Sequence, residues 1–305
     1  MGIHDREYAR TGRTGPSGFD RLRGWSFNKW LIAANVAVFL IVALVPKVGL
    51  FIGQWGYFST AKAIFMFQTF PDGTSHIVFG LEVWRFITFQ FLHANWLHLF
   101  FNMFALWLFG DLVERRMGSK SYAAFYLSCG IFGAVMYVLL NLLGTVVGNV
   151  PGVLSSDPST PLVGASAGVF GVLMAAAYFE PRAPMQIMFL PFTIQLRTLA
   201  YGYVALSFLN LLMQGHNAGG DAAHMGGAIA GFILARRPHH LVDFFDVLGP
   251  PRKKAKPASG RRPSAAPAPP SAEVDRILAK VSTEGLHSLT EREREILRRA
   301  SESKR

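Results

Sequence analysis

Between residues 28 and 236 the chain runs through long stretches with almost no charge, and that feature limits its fold more than any other. Apolar runs of this length need either a very large soluble core or a bilayer, and 305 residues cannot supply the first. Only 16% of the residues are charged and 51% are hydrophobic, with a mean hydropathy of +0.29, whereas soluble domains carry about 25% charged residues. A disordered or fibrous chain is excluded, and a membrane protein is expected.

Spanning about 30 Å of hydrocarbon takes roughly 20 helical residues. Segments of that kind fall at 28–46, 96–112, 120–147, 197–214 and 221–236, with a shorter sixth at 166–179. The apolar stretch 78–92 carries Glu82, Trp84 and Arg85 and reads as interfacial rather than spanning. The stretch 185–196, broken by Pro191, reads as a hairpin at the membrane surface. The expected fold is therefore an all-α membrane protein with six transmembrane helices.

Charge supports that count. The net charge of +11 would point to nucleic acid in a soluble chain, but here the basic residues sit in flanks and short loops, so no nucleic-acid partner is expected. Of 30 Lys and Arg residues, 6 flank the first segment, 3 lie between the second and third (Arg115, Arg116, Lys120), 2 between the fourth and fifth (Arg182, Arg197) and 16 from Arg236 onward. Only Lys47, Lys62 and Arg85 fall on the other side, so the positive-inside rule places both termini in the cytoplasm. A bacterial-type plasma membrane fits this pattern. Residues 1–27 show no cleavable signal peptide, and the first helix is expected to act as its own anchor.

The membrane part, 28–236, is thus preceded by a cytoplasmic segment, 1–27. It is followed by a basic linker, 237–272, rich in Pro, Ala, Lys and Arg, which cannot bury a core. Beyond it, 273–283 and 291–302 predict a small cytoplasmic C-terminal helical hairpin. Gly285 ends its first helix, and a capping box of Thr290 and Glu293 opens its second. Its apolar positions Val274, Ile277, Leu278, Val281, Leu289, Ile296 and Leu297 suggest self-association or a partner helix. A solvated tail is the alternative. One cysteine, Cys129, allows no intramolecular disulfide.

Polar groups inside spans are costly and usually functional. Four stand out: His98 and Asn102 in the second segment, Ser166 at the start of the fourth, and His224 in the sixth. The fourth segment, stopped by Glu180-Pro181, has 14 residues and reaches only about 21 Å. With Glu180 and Arg182 at the cytoplasmic surface, Ser166 should lie on the order of 10 Å below the outer one. A helix N-terminus at that depth has unpaired N–H groups and the positive end of the dipole, which suits an oxyanion. Ser166 as a simple N-cap is the rival.

His224 shares a helical face with Gly227 and Gly231, and the fourth segment offers a matching stripe of Ala167, Gly171 and Ala175. Close packing of these stripes would bring the imidazole to the serine hydroxyl, as base catalysis requires. A histidine that merely packs between helices is the alternative. His98 and Asn102, four residues apart, can present two donors to one point. They could equally bond between helices; a metal pair is the third reading, but there is no HExxH motif. No metal or other cofactor is expected.

Together, Gly164-Ala165-Ser166-Ala167-Gly168-Val169-Phe170-Gly171, His93-x4-His98-x3-Asn102 and Ala223-His224-x2-Gly227-x3-Gly231 resemble the rhomboid intramembrane serine proteases. Trp84-Arg85 matches that family's first-loop motif. The resemblance covers about residues 28–236 and implies a six-helix rhomboid-like bundle with a Ser166–His224 dyad. It also implies an oxyanion hole of His98, Asn102 and the Ser166 N–H, with Phe170 packed on the histidine and Gly164 in a tight turn. His93 is expected to help line water access, and a flexible cap is expected near 215–220. The implied substrates are transmembrane or juxtamembrane segments of other membrane proteins in the lipid bilayer. The position after the serine, often Gly in the family, is Ala167 here. Asp221, one turn before His224, either orients the imidazole or marks the helix end. A non-enzymatic client-binding member of the fold and a small channel are the competing function classes. The channel lacks the paired broken helices it would need.

Overall fold

The computed structural model describes residues 24–69, 74–148, 150–151, 157–186, 191–215, 217–241 and 271–302. Much of the expected N-terminal segment and most of the basic linker lie outside these residues. The chain divides into two units, Met1–Leu248 and Gly249–Arg305.

In the first unit, α1 (Phe27–Leu44) leads into α2 (Pro46–Gly56) and a single turn, α3 (Thr60–Ala63). Strands β1 (Phe65–Thr69) and β2 (Ser75–Phe79) then pair antiparallel. After a short α4 (Arg85–Thr88) and a 3₁₀ turn at Phe89–Phe91, a long rod combines α5 (Trp96–Ala105), a π-helical turn at Leu106–Gly110 and α6 (Asp111–Met117). Next come α7 (Ser119–Val147), α8 (Ser166–Phe179), a second strand pair β3 (Pro184–Gln186) and β4 (Thr193–Gln195), α9 (Leu196–Leu212) and α10 (Ala218–Arg236).

The apolar segments become helices within about three residues of the expected ends, except that the second runs five residues beyond 112, to Met117. Two parts of the expectation change. The chain is mostly helical rather than all-α, because β1–β2 and β3–β4 are antiparallel ribbons. The first ribbon pairs Phe65 with Phe79 through Thr69 with Ser75, and the period-2 pattern of such short strands is weak beside the long apolar helices. By length and apolarity, three helices among the described residues can cross a membrane: Phe27–Leu44, Trp96–Met117 and Ser119–Val147. Helices α8 and α9 are shorter, and α10 is diluted by Gly, Ala, Asp221 and His224.

The π-helical turn has an identifiable cause. A π turn leaves a backbone carbonyl without its usual donor, and Asn28 of α1 supplies one, its Nδ2 donating to the Leu106 carbonyl at 2.9 Å. A Cβ at Gly110 would fall on that amide. Glu114 fixes the other side of the joint: its carboxylate accepts from the Phe27 and Asn28 N–H groups, each at 2.8 Å, and from Ser119 Oγ at 2.6 Å. A single buried carboxylate thereby satisfies two of the orphan donors at the start of α1.

Helices α7, α8 and α10 form the centre, with α8 almost wholly buried. Small residues make this approach feasible. A Cβ on Gly231 would stand 2.5 Å from the Gly171 Cα, and one on Gly227 would stand 2.7 Å from the Ala167 carbonyl carbon. The α8 stripe therefore lies directly against the α10 stripe.

In the second unit, α11 (Ser271–Glu284) and α12 (Glu291–Glu302) pair around buried Ile277 and Leu289. Lys280 Nζ binds Glu293 at 3.1 Å. The Thr290 N–H donates to the Glu293 carboxylate at 2.8 Å and Glu293 N–H donates back to Thr290 Oγ1 at 3.4 Å, completing the capping box. The Thr290 backbone donor first, then Lys280, holds Glu293 down at about 2.

Candidate active site

Irregular backbone at membrane depth needs protein partners for its polar groups. The approach to α8 has them: Phe58 and Leu162 exchange backbone bonds of 3.0 and 2.7 Å, the Ala61 N–H reaches the Pro158 carbonyl at 2.9 Å, and the Gly164 N–H reaches the Phe89 carbonyl at 3.0 Å. The first loop thus clamps the chain just before Ser166. Gly164 makes the final turn with φ +131°, a conformation that strains any residue with a Cβ.

Ser166 is the first residue of α8. The preceding cap position, Ala165, makes no side-chain cap, and the Ser166 hydroxyl instead faces His224 Nε2 at 2.9 Å. The Phe170 ring lies parallel on the imidazole, with centroids 4.3 Å apart and planes 5° apart. Tyr203 of α9 meets Phe170 edge-on.

His98 completes the near side. A Cβ on Gly164 would sit 2.7 Å from His98 Nε2 and 3.5 Å from Ser166 Oγ, so the imidazole and the hydroxyl flank one glycine Cα. The Ala94 N–H approaches His98 Nδ1 at a long 3.5 Å, which favours the tautomer with its proton on Nε2, toward the site. Asn102 is buried. Its Nδ2 donates to the His98 carbonyl at 2.8 Å, and the amide has a second N–H to offer. Ser166, His224, His98 and Asn102 all line one cavity of about 1190 Å³, which Phe101 and Gly219 also border.

His93 does not line it. The ring is buried behind His98, with centroids 5.1 Å apart. Burial first, and then the His98 ring, lower it to about 4, so it stays neutral near pH 7. Its neighbours Ala94 and Asn95 border the cavity in its place.

Trp84 and Arg85 act at a distance from this cavity. Arg85 is only 1% exposed; it pairs with Glu82 and donates to the Tyr57 and Gln54 carbonyls. Trp84 Nε1 donates to the Trp55 carbonyl at 3.1 Å. Together they pin the end of α2 to the start of α4. The loop expected as a cap is short, since α10 already begins at Ala218; Gln214, Gly215 and Asn217 border the cavity.

Sequence reading passed over Ser207 and Asn210. Both lie on α9 and face the far side of His224: Ser207 Oγ is 3.3 Å from Nδ1, and Asn210 Nδ2 donates to Asp221. Their signal was present as two polar residues three apart in an apolar segment.

Residues 80–238 match the Rhomboid domain family, and residues 269–303 match a family of unknown function, DUF6576. The chain is similar to RHOMBOID-like protein 12, mitochondrial, of Arabidopsis thaliana, at 27% identity over 72% of this chain and 63% of that one. It is also similar to Rhomboid protease GluP of Bacillus subtilis, at 33% over 50% and 26%, and to human Presenilin-associated rhomboid-like protein, mitochondrial, at 28% over 50% and 37%. It therefore spans between 26% and 63% of these relatives' own lengths. Mitochondrial relatives stand beside the bacterial one, so the expected bacterial plasma membrane gains no support beyond the coarser assignment to a membrane. A rhomboid match over more than half of the chain, from the first loop through α10, makes this protein a member of the rhomboid family.

Proposed function

We propose that this chain hydrolyses peptide bonds in or beside transmembrane segments of other membrane proteins, with Ser166 as nucleophile and His224 as general base. The observation that carries the reading is the 2.9 Å contact between His224 Nε2 and Ser166 Oγ at the wall of a large cavity. A packing histidine would bond to backbone, whereas this one addresses a hydroxyl at a helix N-terminus.

The chemistry follows from the atoms. Ser166 Oγ attacks the scissile carbonyl carbon as its proton passes to His224 Nε2. The carbonyl oxygen gains the negative charge, which the Ser166 N–H, His98 Nε2–H and the second Asn102 N–H would stabilise. The protonated imidazole then gives its proton to the leaving amine nitrogen, leaving an acyl-serine. Water enters the cavity, His224 takes its proton, and attack on the ester releases the acid and restores the serine. A continuous helix shields its carbonyls, so the cut segment must unwind first.

The wider reading has α1, α5–α6, α7, α8, α9 and α10 as six spans, with both termini in the cytoplasm, since basic residues concentrate on one side. The α11–α12 hairpin is a separate cytoplasmic module, with a partner helix or a second copy as its reading.

The test is fluorophosphonate labelling of purified protein, located by mass spectrometry, beside cleavage of a transmembrane test substrate. Labelling at Ser166 that disappears in Ser166→Ala and His224→Ala, with cleavage lost in parallel, is the expected result. A folded wild-type protein that neither labels nor cleaves overturns the proposal in favour of client binding.

A further inference from the structure

Behind the imidazole lies a buried carboxylate for which a serine–histidine pair alone gives no reason. Asp221 is 5% exposed and sits one turn before His224 on α10, its Oδ1 3.4 Å from His224 Nδ1. Asn210 of α9 donates to its Oδ2, which fixes the carboxylate from the opposite side. The aspartate is therefore no solvated helix end.

For His224 to take the Ser166 proton, Nε2 must be unprotonated, and the single proton of the neutral ring must be on Nδ1. That N–H has two acceptors in reach, Asp221 Oδ1 at 3.4 Å and Ser207 Oγ at 3.3 Å. They differ in what they permit. A serine hydroxyl both donates and accepts, so it suits either tautomer, including the one whose Nε2–H would block the base. An ionised carboxylate only accepts, so it favours the productive tautomer alone. It also stabilises the imidazolium formed as serine attacks, since unlike charges in a poorly screened site attract strongly.

We propose that Asp221, held by Asn210, is a positioning residue that sets the tautomer and orientation of His224 behind the serine–histidine pair. The proton stays on Nδ1 and the carboxylate stays ionised throughout. Ser207 shares the same N–H and holds the ring against rotation. The long 3.4 Å contact belongs to the resting state; such bonds tighten when charge develops on the base.

This inference rests on the dyad reading, and the experiment separates the two. Wild type, Asp221→Asn, Ser207→Ala and the double variant are compared for kcat, KM and the rate of fluorophosphonate labelling at Ser166. Thermal unfolding in detergent monitors folding. Asparagine keeps the shape but removes the pure acceptor, so kcat and the labelling rate should fall by at least about tenfold with KM little changed. Ser207→Ala should lose less, and the double variant more than either. An active wild type with Asp221→Asn within twofold of it in kcat overturns this inference and leaves the dyad standing. A wild type that neither labels nor cleaves removes both. Should Asp221→Asn fail to fold, the ¹⁵N shifts of His224 in the wild type decide: a protonated Nδ1 with bare Nε2 supports the assignment, and the reverse tautomer refutes it.

Discussion

Replacing Gly227 by alanine should disarm the protein without touching a reacting group. The new Cβ would lie 2.7 Å from the Ala167 carbonyl carbon and 3.0 Å from its Cα, where carbon atoms rest no closer than about 3.5 Å. Both atoms belong to helix backbone, as does the Ala167 carbonyl oxygen that the Cβ would overlap, so no side chain can swing aside, and α10 must part from α8 by at least about 0.8 Å. Ala167 adjoins Ser166 and Gly227 is one turn beyond His224, so the opening falls on the 2.9 Å contact and stretches it to at least about 3.7 Å, beyond hydrogen-bond reach. A misplacement of that size costs about 100-fold in turnover, and overpacking costs about 1–3 kcal/mol in stability. Labelling of Ser166 and substrate cleavage measure the first, detergent-phase unfolding the second. Gly202→Ala is the control, since its Cβ would meet nothing within 4 Å. Should Gly227→Ala label Ser166 within threefold of the wild-type rate, the argument that stripe contact sets the active geometry is wrong.

Gly164→Ala puts a Cβ 2.7 Å from the His98 ring at φ +131°; backbone strain of about 1–3 kcal/mol and a displaced His98 should lower kcat by about tenfold or more, seen in steady-state cleavage. Glu114→Ala removes the acceptor for two N–H groups at the start of α1 and should destabilise the membrane unit by about 2 kcal/mol in chemical unfolding, with the site chemistry of any remaining folded protein unaltered. Glu293 has its carboxyl lowered from 4.5 to about 2. Its contribution to the hairpin is therefore complete above pH 4.5 and lost as pH falls toward 2. Carbon-13 titration of that side chain should give a midpoint near 2, and one near 4.5 would refute the capping geometry.

The long apolar helices among the described residues were legible because charge and proline mark where an apolar run must stop. Ser166–Phe179 shows this best, bounded by Gly164 ahead and Glu180-Pro181 behind. The pairing of Ser166 with His224 was legible for a second reason, since small-residue stripes identify which helices can approach. Features that depend on distant partners were hidden. The π turn at Leu106–Gly110 exists because Asn28, 78 residues earlier, satisfies its carbonyl. His93 reads as one more site histidine, and only packing shows it behind His98. Asp221 had two local readings, and the residues that discriminate between them, Ser207 and Asn210, lie on another helix.

The shortness of α8 sets a measuring rule for the whole molecule. Its 14 residues fix Ser166 at about 21 Å from the Glu180 end, which Arg116 holds by an ion pair. Longer lipid tails thicken the hydrocarbon but cannot lengthen this helix, so all the added thickness lies beyond the serine. Under the proposed function, water would then have farther to travel, and a substrate helix would present a different residue to the hydroxyl, shifted by about one position for every 1.5 Å. Lipid composition would thereby help to determine where the proposed cut falls.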